Sequence, residues 1–179
     1  GNILPVNLDA IKKFMIEKNV YHKLNDYIKA SGDLAVKLYK EDIEAALRTK
    51  DFGGFELLSL SDYTGQSTAT VGILDVFYKS KGLISHDEFK NFAGEAVPLF
   101  KAKRIFKNTD TLEAELDLYD FSEKKINNPV YNLTVQNGKQ VFYKTSTTES
   151  KVSIPLNSIT KSTMLSVILE VNGYKNTWR

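Results

Sequence analysis

The sequence predicts an α+β protein with helices in its first half and antiparallel strands in its second. Apolar residues recur at helical spacing as far as Pro98 and alternate with polar ones from Lys103 onward. Turn residues then divide the second half into short strands, the spacing of an immunoglobulin-like β-sandwich. With 42% hydrophobic residues, 26% charged residues, 10 Phe, 9 Tyr and 1 Trp in 179 positions, there is material for a packed core. The change of period marks a domain boundary, giving residues 1–100 and 101–179.

In the first half, Leu8, Ile11, Phe14 and Met15 share one helical face, and Tyr21, Leu24, Tyr27 and Ile28 resume the pattern after a break at Asn19. Ser31-Gly32-Asp33 reads as punctuation, followed by a helix through Ala35, Tyr39, Ile43, Ala46 and Leu47. Phe55-Glu56-Leu57-Leu58-Ser59-Leu60, bounded by Gly53-Gly54 and Ser61-Asp62, reads as a strand buried on both faces. Val71, Leu74 and Tyr78 suggest a helix that Gly82 terminates, and Ser85-His86-Asp87-Glu88 has capping-box spacing ahead of Phe89 and Phe92.

In the second half, Leu112, Ala114, Leu116 and Leu118 alternate with Thr111, Glu113, Glu115 and Asp117. Tyr131, Leu133 and Val135 do the same, and Asn137-Gly138 supplies the residues of a type I′ hairpin before Gln140 to Lys144 returns. Val152 to Leu156 and Leu165 to Val171 make two more strands. Tyr174 to Arg179 stops on the approach to another. A lone buried strand at Phe55 to Leu60 would have no hydrogen-bonding neighbours in this half. That strand, the start at Gly1 and the stop at Arg179 read as a piece of a longer chain, whose remainder is an expected partner.

Chemistry is narrowed by what is missing. With 24 Lys+Arg against 22 Asp+Glu, the net charge of +2 does not attract a polyanion, so no nucleic acid partner is expected. Zero cysteines exclude disulfides, thiolate metal sites and cysteine nucleophiles. No apolar run reaches the ~18 residues that span a bilayer, so no membrane insertion is expected. There is no phosphate-binding glycine loop, nucleophile elbow or zinc-type histidine pair. His22 and His86 fall on different helices, and Glu113, Glu115 and Asp117 form a solvated strand face, so neither a metal nor a cofactor is expected. The loop Ser61 to Thr68 is where position and residue type coincide. At the C-terminal end of a buried strand it carries Asp62, Tyr63 and Gln66, able to stack on or hydrogen-bond a ligand. The alternative is that Asp62 and Thr68 cap the next helix while Gly65 permits a turn.

The segments Tyr39 to Thr49, Phe52 to Leu58, Asp62 to Ala69 and Val71 to Asp75 together resemble the closing part of a family-2-type glycoside hydrolase, of the β-galactosidase and β-glucuronidase superfamily. The resemblance is dense from Tyr39 to Phe100 and looser after it. It departs from the family pattern at Ser59, where related sequences often have Asp, and at Ser67, where they often have Gly. It implies that residues 1–100 close a truncated (β/α)8 barrel, with Phe55 to Leu60 as its last strand, and that 101–179 form the immunoglobulin-like domain that follows. It also implies a retaining glycosidase, periplasmic or extracellular, hydrolysing O-glycosyl bonds. The two catalytic glutamates of such enzymes end earlier barrel strands, so none maps here and the fragment is expected to be inactive. Asp62, Tyr63 and Gln66 would line the sugar pocket of the intact enzyme. The competing reading is a non-catalytic carbohydrate- or protein-binding or scaffolding module, with Tyr119, Tyr131, Phe142 and Tyr143 as candidate aromatic contacts.

Overall fold

A computed structural model describes residues 6–63 and 70–179. The protein is α+β, with three α-helices ahead of two antiparallel sheets among the described residues. It divides into two compact units, one of Gly1–Asp42 with Phe55–Ser85 and one of Ile43–Gly54 with His86–Arg179.

In the first unit, α1 (Val6–Glu17) ends where Asn19 turns left-handed at φ 55°. Val20 N donates to Met15 O and Asn19 N to Ile16 O, both at 2.9 Å, a Schellman closure that absorbs the last carbonyls. A 3-10 turn, Tyr21–Lys23, leads into α2 (Leu24–Arg48), which runs unbroken for 25 residues. The expected break at Ser31-Gly32-Asp33 does not occur. A Cβ at position 32 would lie 2.3 Å from a methyl carbon of Leu83, so Gly32 allows a close approach rather than a turn.

Two expectations for this unit are corrected. Phe55 to Leu60 is not a strand buried on both faces, because no neighbouring strand among the described residues supplies a ladder and Leu58 is 83% exposed. Just after it, Ser61 makes one parallel bridge to Leu74. Val71 to Gly82 is not a helix either. Asp75 Oδ1 accepts from Phe77 N at 2.8 Å and Lys79 N at 2.9 Å, which captures amides a helix would need and folds the segment back so that Leu74 bridges Ser80.

In the second unit, α3 (His86–Ala93) starts at the capping-box residues and buries Phe92. Strands β1 (Ala96–Ala102), β2 (Thr111–Asp120) and β5 (Lys151–Pro155) make one sheet in the order β1-β2-β5. Strands β3 (Tyr131–Asn137), β4 (Gln140–Thr147), β6 (Ser166–Val171) and β7 (Tyr174–Trp178) make the other, in the order β4-β3-β6-β7. Alternation puts Leu112, Ala114 and Leu116 of one sheet and Leu133, Val135 and Leu169 of the other into one shared core, the arrangement of a sandwich. The β3-β4 hairpin is not type I′. Asn137 pairs with Gln140, so Gly138 and Lys139 are the central residues and only Gly138 has positive φ, which is the type II′ pattern. The type I′ pair is Asn172-Gly173 between β6 and β7, with φ 50° and 88°.

A buried carboxylate joins the end of α2 to this core. Glu44 is fully buried, with Oε1 accepting from Asn176 Nδ2 and Oε2 from Trp178 Nε1, both at 2.8 Å, while Arg48 Nη1 lies 3.3 Å from Oε2. Asn176 Nδ2 also donates to Pro98 O at 3.0 Å. After β2, Asp120 organises the next turn. Ser122 N donates to Asp120 Oδ1 at 2.9 Å and Ile126 N to Oδ2 at 2.6 Å, and Ser122 Oγ lies 2.5 Å from Oδ1. The Ser122 hydroxyl and then the Ile126 amide hold the Asp120 carboxyl below its ordinary value of 3.8.

Replacing Glu44 by Ala strands two buried donors at roughly 1–3 kcal/mol each. Urea denaturation followed through the fluorescence of Trp178 should show a loss of about 2–5 kcal/mol, with Glu44→Gln in between because it keeps one acceptor oxygen. Because the folded pKa of Asp120 is depressed, its contribution is complete above the unfolded value of about 3.9 and disappears as pH falls through the lower folded value. An NMR pH titration should show the Ile126 amide losing its hydrogen-bonded shift only below that unfolded value, and Asp120→Asn should abolish the transition.

Candidate functional site

The loop singled out by sequence is closed at its root by a charged clamp. Asp62 N donates to Leu74 O at 3.0 Å and Leu74 N to Leu60 O at 3.1 Å, so Leu60 to Asp62 lies against Gly72 to Leu74. Asp62 Oδ1 accepts from Gly72 N at 3.0 Å and from Lys81 Nζ at 2.6 Å. Lys81 Nζ also donates to Gly72 O at 2.8 Å, so one ammonium holds both sides of the loop. The Asp62 side chain is only 10% exposed and that of Lys81 25%, which shields the pair from water and strengthens it relative to a surface bridge. Close approach requires glycine at 72, since a Cβ there would lie 2.4 Å from the carbonyl carbon of Ser61. Tyr39 braces the same root from α2, its hydroxyl donating to Val71 O at 3.1 Å.

The three predicted site residues therefore have different standings. Asp62 is drawn into the root of the loop, with Oδ1 used twice. Tyr63, next to it, is 57% exposed and presents its ring to solvent. Gln66, with Gly65 and Thr68, lies outside the described residues. Sequence reasoning missed Lys81, because nothing local marks a partner 19 residues away. Gly72 carried a signal, a glycine in the middle of a supposed helix, which normally marks a close backbone approach.

The candidate aromatic contacts of the second unit separate as well. Tyr131 is 5% exposed in the shared core, where burial first and the Asp117 charge second push its phenol above the ordinary 10.0. Tyr143 packs against the same core, and Phe142 is the extra residue at the irregularity opposite Val135 and Gln136. Tyr119 is stacked on Phe121, with ring centres 6.5 Å apart and planes 8° from parallel, and Phe121 is 75% exposed. No helix among the described residues is long and apolar enough to cross a membrane, and no cluster of three metal-capable side chains occurs among them.

Removing the clamp should loosen the loop and leave the sheets alone. Asp62→Ala strands the Gly72 amide and a shielded ammonium, and Gly72→Ala forces the two backbones apart at a cost of about 1–3 kcal/mol. Hydrogen exchange should show faster exchange at Gly72 and Leu74 in both variants, with protection at Leu133 and Leu169 unchanged. No protein-family model matches the chain, and no curated protein matches it.

Proposed function

We propose that the chain is the closing part of a family-2-type glycoside hydrolase, the end of its (β/α)8 barrel followed by an immunoglobulin-like sandwich that takes in β1 from Ala96 onward. The parent hydrolyses O-glycosyl bonds with retention, in the periplasm or outside the cell, through two glutamates that lie outside this chain. The reading rests on the resemblance over Tyr39 to Asp75, and the clamped loop is the structural observation that carries it. A wall of a sugar pocket needs a rigid root and a solvent-facing aromatic tip, and Asp62 with Lys81 fixes the root beside exposed Tyr63.

Two further observations support it. The carboxylates most firmly held here, Glu44, Asp62 and Asp120, are each committed to structural hydrogen bonds, in keeping with catalytic glutamates that lie outside this chain. In the first unit, Leu8, Ile11, Phe14, Ile16, Ile28 and Leu38 are each more than half exposed, an apolar surface suited to the remainder of a parent barrel. The second reading, a non-catalytic carbohydrate- or protein-binding module, is favoured by the Tyr119–Phe121 stack, of which Phe121 is exposed.

The test is enzymatic. The chain alone should release no chromophore from aryl β-galactosides or β-glucuronides. The product of the whole reading frame should hydrolyse at least one of them with retention at the anomeric carbon, seen by proton NMR. A reading frame without upstream strand–helix units bearing two strand-end glutamates, or a whole product inert on every aryl β-glycoside, would overturn the hydrolase reading.

A further inference from the structure

The end of β2 and the β6-β7 turn border an open cleft of about 430 Å³ in the second unit, within the size range of small-ligand sites. Glu95, Ser122, Glu123, Lys124, Asn172 and Tyr174 line it. We infer that this cleft is a binding site for a neutral saccharide or polyol, separate from the loop at Tyr63 and independent of whether the parent is a hydrolase.

The first argument is the balance of donors and acceptors. Glu95 and Glu123 bring carboxylate acceptors, Lys124 an ammonium donor, Asn172 an amide with both, and Tyr174 a hydroxyl, while the Ser122 hydroxyl is taken by Asp120 and the Lys124 carbonyl. An anion would meet two carboxylates and a cation would meet an ammonium. A sugar hydroxyl both donates and accepts, so a polyhydroxyl ligand can hydrogen-bond to the carboxylates and to the ammonium alike. Neither Glu123 nor Lys124 is committed through its side chain to another described residue. Tyr174 adds an aromatic ring, the group on which the C–H face of a pyranose packs.

The second argument is rigidity. Asp120 pins the turn that carries Ser122, Glu123 and Lys124 through the Ser122 and Ile126 amides, and Lys125 Nζ donates to Asp120 O at 2.8 Å. Asn172 sits in a two-residue type I′ turn. Tyr174 donates its hydroxyl to Glu95 Oε1 at 2.9 Å, while Phe121 N donates to Glu95 O at 2.6 Å and ties that residue back to the end of β2. Because the Tyr174 hydroxyl spends its proton on Glu95, its oxygen lone pairs are left to accept from a ligand, and the same bond is the first cause that raises the phenol above its ordinary 10.0. A backbone frame fixed in advance leaves only side chains to be ordered when a ligand binds.

The test is an NMR titration of the labelled full chain with D-galactose, D-glucose, lactose and mannitol, and in parallel with inorganic phosphate and calcium chloride. The expected result is a saturable shift of the Ser122, Lys124 and Asn172 amides with at least one neutral sugar and with neither salt. Tyr174→Phe, which keeps the ring and the fold, should weaken binding about twofold to tenfold, the loss of one hydrogen bond. Glu95→Gln combined with Lys124→Ala should weaken it further, and Phe121→Ala should leave it unchanged. No saturable shift with any neutral ligand, shifts centred on Tyr63, a response to phosphate or calcium alone, or undiminished binding in the double variant would each overturn the proposal.

Discussion

The fold of the second unit depends on placing one carboxylate, that of Glu44, where water cannot reach it. A buried carboxylate is tolerated only when its oxygens are bonded, and here Asn176 and Trp178 bond one oxygen each while Arg48 supplies the charge. These donors stand on alternate positions of β7, so a one-residue slip of that strand would turn both away. Glu44 therefore fixes the register of the last strand from a helix 132 positions earlier in the chain. It also makes the unit non-contiguous: Ile43–Gly54 belongs with the sheets although the intervening residues belong elsewhere.

Asp62 plays the corresponding part in the other unit with different economics. The cationic partners Lys81 and Arg48 are each about one-quarter exposed, but the Asp62 side chain keeps 10% of its surface in water where that of Glu44 keeps none. The first arrangement closes a loop whose neighbouring tyrosine faces water, and the second closes a core. In both, a charged side chain serves structure, Asp62 by holding backbone and Glu44 by holding the side chains of β7.

How much was legible depended on burial. Strands β2, β3, β5 and β6 show in the sequence because each has one wet face, and alternation is the mark of that asymmetry. Strand β1 does not alternate: Ala96 to Phe100 are all buried, and Pro98 argues against a strand unless it lies at an edge, as it does here. Gly32 misled as punctuation because its cause, Leu83, lies 51 positions further along the chain. Phe55 to Leu60 misled in the opposite sense, since an apolar run announces that burial is wanted but not whether neighbours are present to provide it. At the candidate site, the polar character of Asp62 was visible, but the pairing that decides what it does was long-range and was not.

The free margins of the two sheets are each interrupted. Pro98 removes a donor from β1, and the Asn176 amide occupies that residue's carbonyl. On β7, Asn176 Oδ1 accepts the Thr177 amide at 2.9 Å. Strand β5 is five residues long and ends in Pro155, and β4 is kinked by its irregularity opposite Val135 and Gln136. A strand arriving from another molecule would find no continuous row of amides and carbonyls to extend. The sheet unit is thus built to resist templated fibril growth along its margins, and its colloidal weakness is confined to apolar side chains rather than to exposed backbone.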